Sequence, residues 1–335
     1  MANVLLTEKC VRSCPYCFAK EHMDESDQQM LSWQDLIYIV DLHEISGDKA
    51  IALLGGEPTL HPDFVDFVLY ILERNFHVNI FTSGIMGNRA IEEAAKHLSG
   101  IDPNKLSFVC NINHPDITPY PEKEALTRFF KVFGHLTSPG YNIYEPEFEL
   151  DFMFHMINQY GLKHHIRLGL AHPIPGEKNM YVKVEEFPLM YKSLLKYLPT
   201  FEMLKINVGF DCGFPICGLT DEEIGKLFKI NNGRLRFGCG PAVDIGPDMM
   251  VWSCFPLSRF QKKSVFDFNS IQEIVTFYEG LHSKIKTETG GIYLECDTCP
   301  YLEEKLCSGG CMAHALSKFK NEPRLRMKEV YNDKT

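Results

Sequence analysis

Basic charge is in short supply. The 335-residue chain has 34 Lys and Arg against 44 Asp and Glu, a net charge of −10. That balance speaks against a broad nucleic-acid surface, though a local basic groove remains compatible with it. Long apolar runs are missing too, and none reaches the roughly 20 residues of a membrane-spanning helix. The start, "MANVLLTEKC", lacks the basic region, apolar core and cleavage site of a secretory signal. Internal repeats and low-complexity tracts are absent. A cytoplasmic protein with no membrane partner is therefore expected. These absences give the twelve cysteines their meaning. In a reducing compartment, clustered cysteines bind metal more often than they form disulfides.

What is present begins with ordinary globular composition, 45% apolar and 23% charged. The first two-thirds alternates strand-like and helix-like segments. "NVLLT" reads as a buried strand, and "SWQDLIYIVDLHEI" as a helix capped by Ser32 with Asp35 in its first turn. "KAIALLGG" is a strand, and "PDFVDFVLYILERN" a helix with Pro62 at its first position. "HVNIFTSG", "NRAIEEAAKHL", "KLSFVCNIN", "EKEALTRFFKVFGHL" and "HIRLGLAHP" continue as strand, helix, strand, helix and strand. This alternation predicts β/α units on a parallel sheet, with chemistry at the carboxyl ends of the strands. After about residue 205 cysteine, Gly and Pro become frequent and apolar periodicity weakens. The expected organisation is an α/β core over 1–205, a small cysteine-rich domain over 206–315 held partly by metal, and a polar tail over 316–335.

Cys10, Cys14 and Cys17 form C-x3-C-x2-C directly after the first strand. Structural zinc and ordinary iron–sulfur sites take four protein ligands. Three thiolates on a four-iron cluster leave one iron open for a substrate or cofactor. The alternative is a zinc knuckle. C-x3-C-x-aromatic-C after a first strand, with Tyr16 as the aromatic residue, resembles the signature of the radical SAM superfamily. "GGEP" (Gly55, Gly56, Glu57, Pro58) after the second strand resembles that family's second motif. The resemblance implies a partial (β/α)6 barrel and a 4Fe–4S cluster on Cys10, Cys14 and Cys17. It also implies that the amine and carboxylate of S-adenosylmethionine chelate the open iron, with the GGEP backbone and Glu57 contacting the amine. Reductive cleavage would yield a 5′-deoxyadenosyl radical that takes a hydrogen atom from substrate.

Further residues are candidates near that cofactor. Ser83 in "FTSG" matches a polar position of the family's third strand, or is a turn residue. Asn111 and Asn113 share one strand face and can bond ribose hydroxyls, or serve only to end the strand. Arg167 lies in an otherwise apolar strand, so it needs an anion, and the cofactor carboxylate is a candidate. His172 reads as structural and Cys110 as a small core residue.

"CDTCPYLEEKLCSGGC", Cys296 to Cys311, is C-x2-C-x7-C-x3-C, a spacing that suits zinc or iron–sulfur. Behind such a core it resembles the SPASM extension, which carries one or two auxiliary 4Fe–4S clusters. By that resemblance Cys239, Cys254 and Cys311 serve the first, and Cys296, Cys299 and Cys307 the second. The core has seven residues where five is usual, Met249 stands where the hairpin usually has Gly, and no cysteine follows Cys311. Cys212 and Cys217 precede the hairpin. One is expected to complete the first cluster. The other supplies the second cluster's fourth ligand, leaves that cluster open, or is a free catalytic thiol that donates a hydrogen atom or tethers an intermediate.

The expected function is a radical SAM enzyme that modifies a peptide by crosslinking, epimerisation or oxidation, with a reductant such as flavodoxin or ferredoxin. Only nine residues precede Cys10, so no amino-terminal peptide-recognition domain is expected. Rearrangement or dehydrogenation of a small molecule is the alternative. An electron-transfer or zinc scaffold is the non-enzymatic one.

Overall fold

The structure is a computed structural model that describes residues 2–17, 19, 29–175 and 178–318. The expected polar tail, from residue 319 on, lies outside the described residues. Along the chain, β1 (Asn3–Leu5), α1 (Trp33–Ile45), β2 (Ala50–Leu54), α2 (Phe64–Glu73), β3 (His77–Thr82), α3 (Asn88–Leu98), β4 (Leu106–Asn111) and α4 (Tyr120–Phe133) alternate strictly. The alternation continues through β5 (Thr137–Ile143), α5 (Asp151–Tyr160) and β6 (His165–Leu170), followed by α6 (Phe187–Leu195), α7 (Leu198–Leu204) and β7 (Asn207–Phe210). After α8 (Asp221–Ile230) come β8 (Asp244–Ile245), β9 (Met250–Trp252), β10 (Lys263–Ser264), the long α9 (Ile271–Thr289), α10 (Pro300–Glu303) and α11 (Met312–Lys318).

One ten-stranded sheet joins all of this, in the order β10-β9-β8-β1-β2-β3-β4-β5-β6-β7. Strands β1 to β7 and the β1–β8 pair are parallel, and the β8–β9 and β9–β10 pairs are antiparallel, so that β9 alone runs against the other strands. The chain is thus an α/β fold whose first six strands lie side by side in sequence order, as a partial (β/α)6 unit requires. The expected boundary at residue 205 falls between α7 and β7, and the sheet continues across it at both edges. Alternation along the strands divides the faces: Val78 and Ile80 of β3, and Phe108 and Cys110 of β4, join the buried apolar core. Phe108 meets Phe129 of α4 edge-on at 5.4 Å. The intervening residues, Asn79, Phe81, Ser107 and Asn111, face the other way. Cys110 is a core residue, as its sequence context suggested.

Local chemistry explains most boundaries. Ser32 caps α1 by accepting from the Asp35 N–H at 3.1 Å. Pro62 does not open α2. Asp63 is the N-cap and the helix starts at Phe64, while Pro58 opens a separate 3-10 turn over Pro58–Leu60. Strand β5 and helix α5 are absent from the sequence-based reading. Pro139 and Gly140 disguise β5, because proline cannot donate to a ladder and glycine weakens a strand pattern. The close approach of Asn111 Oδ1 explains Gly140, where a Cβ would lie only 2.8 Å from that oxygen. Met249, which replaces the usual hairpin glycine, adopts φ 57° in the turn between β8 and β9. It therefore takes the left-handed backbone that glycine favours.

Candidate active site

The three cysteines follow β1 at the carboxyl end of the sheet. Cys10 is exposed, Cys14 and Cys17 are half-buried, and none of the three is in a disulfide. The Cys17 N–H donates to the Cys14 carbonyl at 3.1 Å, a turn that gathers the last two sulfurs. Burial raises the Cys10 pKa, and the Glu57 and Cys14 charges push it further the same way. These charges place Glu57 and Cys14 beside Cys10. The GGEP segment extends the β1–β2 pairing beneath this loop. The Gly56 N–H donates to the Thr7 carbonyl at 2.8 Å and the Glu57 N–H to the Lys9 carbonyl at 2.7 Å. Both glycines are required by that approach. A Cβ on Gly55 would sit 2.4 Å from Thr7 O, and one on Gly56 would sit 2.2 Å from Lys9 O.

Glu57 is 1% exposed. Its carboxylate accepts from the hydroxyls of Thr59 (2.7 Å), Thr82 (2.6 Å) and Ser83 (2.5 Å) and from the Ser83 N–H (2.7 Å). A buried carboxylate is stable when donors surround it in this way. The side chain thus ties the end of β2 to the "TSG" turn after β3, and Ser83 acts through Glu57. Pro58, also buried, starts the turn that follows.

Arg12, inside the cysteine motif, escaped the sequence reading. Its guanidinium donates to Glu122 at 2.9 Å and to the Asn111 carbonyl at 2.9 Å. The cysteine loop is thereby fastened to the first turn of α4 and the end of β4. Tyr16 donates its hydroxyl to Asn113 Oδ1 at 2.7 Å and stacks on Tyr144 with centroids 4.7 Å apart. Asn111 and Asn113 stand at the end of β4 and just past it. The anion that Arg167 needs is met by Asp211, a residue without any signal in the sequence beyond its charge. Arg167 Nε donates to Asp211 Oδ1 at 2.9 Å, a second bond joins Nη2 to Oδ2, and Nη1 reaches Asn111 Oδ1 at 3.3 Å. The guanidinium lies 5.2 Å from the centroid of Phe81, over its ring. His172 is buried, and burial pushes its pKa down to about 4. Its Nε2 lies 3.2 Å from the Cys212 carbonyl, which makes that nitrogen the donor.

Among the described residues no three His, Cys, Asp or Glu side chains converge on a single metal ion. A four-iron cluster sets its thiolates further apart than one ion does. Three cysteines outside any disulfide on one short loop fit such a cluster, with the side-chain-free Gly55 and Gly56 beside them. The C-terminal cysteines also gather. Cys239 packs with Cys254, Leu257, Ile285 and Met312. The Gly309 N–H donates to the Cys307 sulfur at 3.4 Å. A Cβ on Gly291 would fall 2.5 Å from the Cys296 sulfur. Trp252 and Phe255 pack against Leu5 and Cys17, so the C-terminal region closes one side of the cysteine loop.

Residues 4–118 match the Radical SAM superfamily. Over 84 residues the chain is 39% identical to the S-adenosylmethionine-dependent nucleotide dehydratase of Selenomonas ruminantium, covering 24% of this chain and 29% of that protein. Over 103 residues it is 30% identical to the PqqA peptide cyclase of Granulibacter bethesdensis, covering 31% of this chain and 27% of that protein. The chain spans under a third of these relatives' length. Its fold resembles that of Streptococcus suis SuiB bound to S-adenosylmethionine, with TM-score 0.66 and 15% identity over 99% of this chain and 77% of SuiB. SuiB bound to its precursor peptide SuiA superposes equally well, at TM-score 0.66 and 15% identity over 99% of this chain and 76% of that one. No described helix is long and apolar enough to cross a membrane. Three cysteines after β1, a GGEP backbone paired with the segment before them and the match over residues 4–118 make the first third of the chain similar to a radical SAM domain.

Proposed function

We propose that this protein is a radical SAM enzyme that modifies a peptide, with auxiliary iron–sulfur clusters in its C-terminal region. The carrying observation is the hydrogen-bonded union of the cysteine loop with the GGEP backbone, on a fold shared along nearly the whole chain with SuiB. The superposition with peptide-bound SuiB and the stretch shared with PqqA peptide cyclase both support a peptide substrate. The match to a nucleotide dehydratase supports a small-molecule substrate instead, but it covers only 24% of this chain.

Cys10, Cys14 and Cys17 would hold the catalytic 4Fe–4S cluster. Bound there with S-adenosylmethionine, such a cluster would supply one-electron reductive cleavage of the cofactor and hydrogen-atom abstraction from substrate. The chain's own part is positional. Arg12 anchors the loop to α4 and β4. Gly55 and Gly56 would offer bare backbone to the cofactor amine, and Glu57 holds the two turns in register through Thr82 and Ser83. Tyr16 and Tyr144 form a stacked apolar wall, with Asn113 fixing the Tyr16 hydroxyl. Arg167, Asp211 and Asn111 form a charged, hydrogen-bonded floor suited to polar groups of cofactor or substrate. By the SPASM resemblance, Cys239, Cys254 and Cys311 serve one auxiliary cluster and Cys296, Cys299 and Cys307 another. A small electron carrier such as flavodoxin or ferredoxin would supply the reducing electron.

Anaerobically reconstituted protein with dithionite should release 5′-deoxyadenosine and methionine from S-adenosylmethionine. The triple variant Cys10→Ala, Cys14→Ala, Cys17→Ala should lose this while keeping its C-terminal metal. Undiminished cleavage in that variant would sink the assignment, and no cleavage by the wild-type protein would leave the scaffold reading.

A further inference from the structure

We propose that Cys212 and Cys217 belong to two different clusters. Cys212 closes a quartet with Cys239, Cys254 and Cys311. Cys217 closes a second quartet with Cys296, Cys299 and Cys307. The inference rests on the iron–sulfur reading above and assigns the two cysteines that reading leaves open.

The first quartet is built on backbone contact. The Gly213 N–H donates to the Gly238 carbonyl at 2.9 Å, which lays Cys212 alongside Cys239. Gly213 has φ +94°, and a Cβ there would stand 2.8 Å from the Cys311 Cβ. The chain at 212–213 can approach Cys311 this closely only as glycine. The Cys212 carbonyl is further held by the His172 ring. Cys239 and Cys254 share one small apolar cluster. Met312, the neighbour of Cys311, packs in the same apolar cluster as Cys239.

The second quartet is anchored on both sides of Cys217, which lies in the 3-10 turn Ile216–Gly218. Three residues earlier, Phe214 meets Phe210 at 5.0 Å. Phe210 in turn stacks on Phe237 at 5.9 Å. The Phe237 backbone bridges to Cys307. Four residues later, Asp221 accepts from the Tyr301 hydroxyl at 3.1 Å, and Tyr301 lies between Cys299 and Cys307. Cys217 and Cys296 pack against the same buried core that contains Cys307, and Cys299 follows Cys296 by three residues. The three partners are the remaining cysteines of the C-terminal set. The second cluster thus draws its fourth ligand from the exit of β7, upstream of the hairpin. Neither thiol remains free to donate a hydrogen atom or to tether an intermediate.

The test uses the full chain lacking Cys10, Cys14 and Cys17, so that iron reports on the C-terminal region alone. About eight irons and eight sulfides per chain are expected if both clusters are four-iron cubes. Cys212→Ala and Cys217→Ala should each alter the Mössbauer and EPR signature of one cluster and spare the other. The double variant should alter both, and Cys110→Ala neither. Should a variant fail to fold, alkylation of the loaded parent protein decides. Cys212 and Cys217 should resist iodoacetamide until the iron is chelated. Wild-type iron and spectra in Cys217→Ala, or rapid native alkylation of either thiol, would overturn the assignment. One zinc without sulfide would overturn it too. Eight irons without cleavage of S-adenosylmethionine by the wild type would sink the enzymatic reading alone.

Discussion

At the scale of single residues, burial sets what each polar group can do. Glu57 is fully enclosed and fully satisfied, and Arg167 is answered by Asp211. His282 in α9 is the contrary case. It is buried, and neither ring nitrogen has a hydrogen-bond partner among the described residues. Burial, helped by Lys286, pushes its pKa down from 6.5 to about 4. The fold therefore prefers the neutral ring. Above pH 6.5 both folded and unfolded chains hold it neutral, and stability from this group is level. As pH falls from 6.5 towards 4, the unfolded chain takes up a proton that the folded one refuses, so stability declines. Below about pH 4 the loss is complete. His282→Leu should remove this slope and raise the melting temperature more at pH 5 than at pH 8. An unpartnered buried polar group costs about 1–3 kcal/mol, so a gain is expected even at pH 8. Thermal melts of both proteins across that range check it. Equal slopes would mean that His282 has a partner in solution.

At the scale of elements, the crossing of the GGEP segment over the exit of β1 is the tightest joint of the site. Gly56→Ala would drive a methyl group to 2.2 Å from the Lys9 carbonyl, a rigid backbone atom next to Cys10. Overpacking of this kind costs about 1–3 kcal/mol, and relief by backbone movement would displace the cysteine loop. The variant should lose stability by that amount and also lose iron from the N-terminal site. Gly87→Ala, where nothing lies within 4 Å, should do neither. Denaturant titration together with iron analysis separates the two. Most of these elements were legible beforehand. Helix α3 runs over "NRAIEEAAKHL" as read, and Ser32 caps α1. Strand β5 was not legible, because Pro139 and Gly140 break the pattern that propensity depends on. Its place between β4 and β6 comes from pairing partners distant in sequence.

At the scale of the whole molecule, the sheet does not respect the change in composition near residue 205. Strand β8 pairs with β1, with Asn3 opposite Asp244, and β7 pairs with β6. Asn3 also donates to the Asp244 carboxylate at 2.7 Å. A fragment ending at residue 205 would leave β1 and β6 as bare parallel edges, which expose unpaired backbone groups and invite aggregation. It should be insoluble or lack a cooperative melt, and hydrogen exchange should find β1 unprotected. A soluble fragment with a sharp transition would make the core an independent domain.

The local chemistry of this protein was written in its sequence. Three cysteines after a short strand and a GGEP after the next one carry their own spacing, because each is a loop of few residues whose reach is limited by bond geometry. The partners of those loops were decided only in the folded chain. Asp211 beside Arg167, and Arg12 on Asn111 and Glu122, join residues far apart in sequence. Such contacts are created when the sheet closes its order, since side-chain partners across strands are set by register and packing rather than by neighbours along the chain.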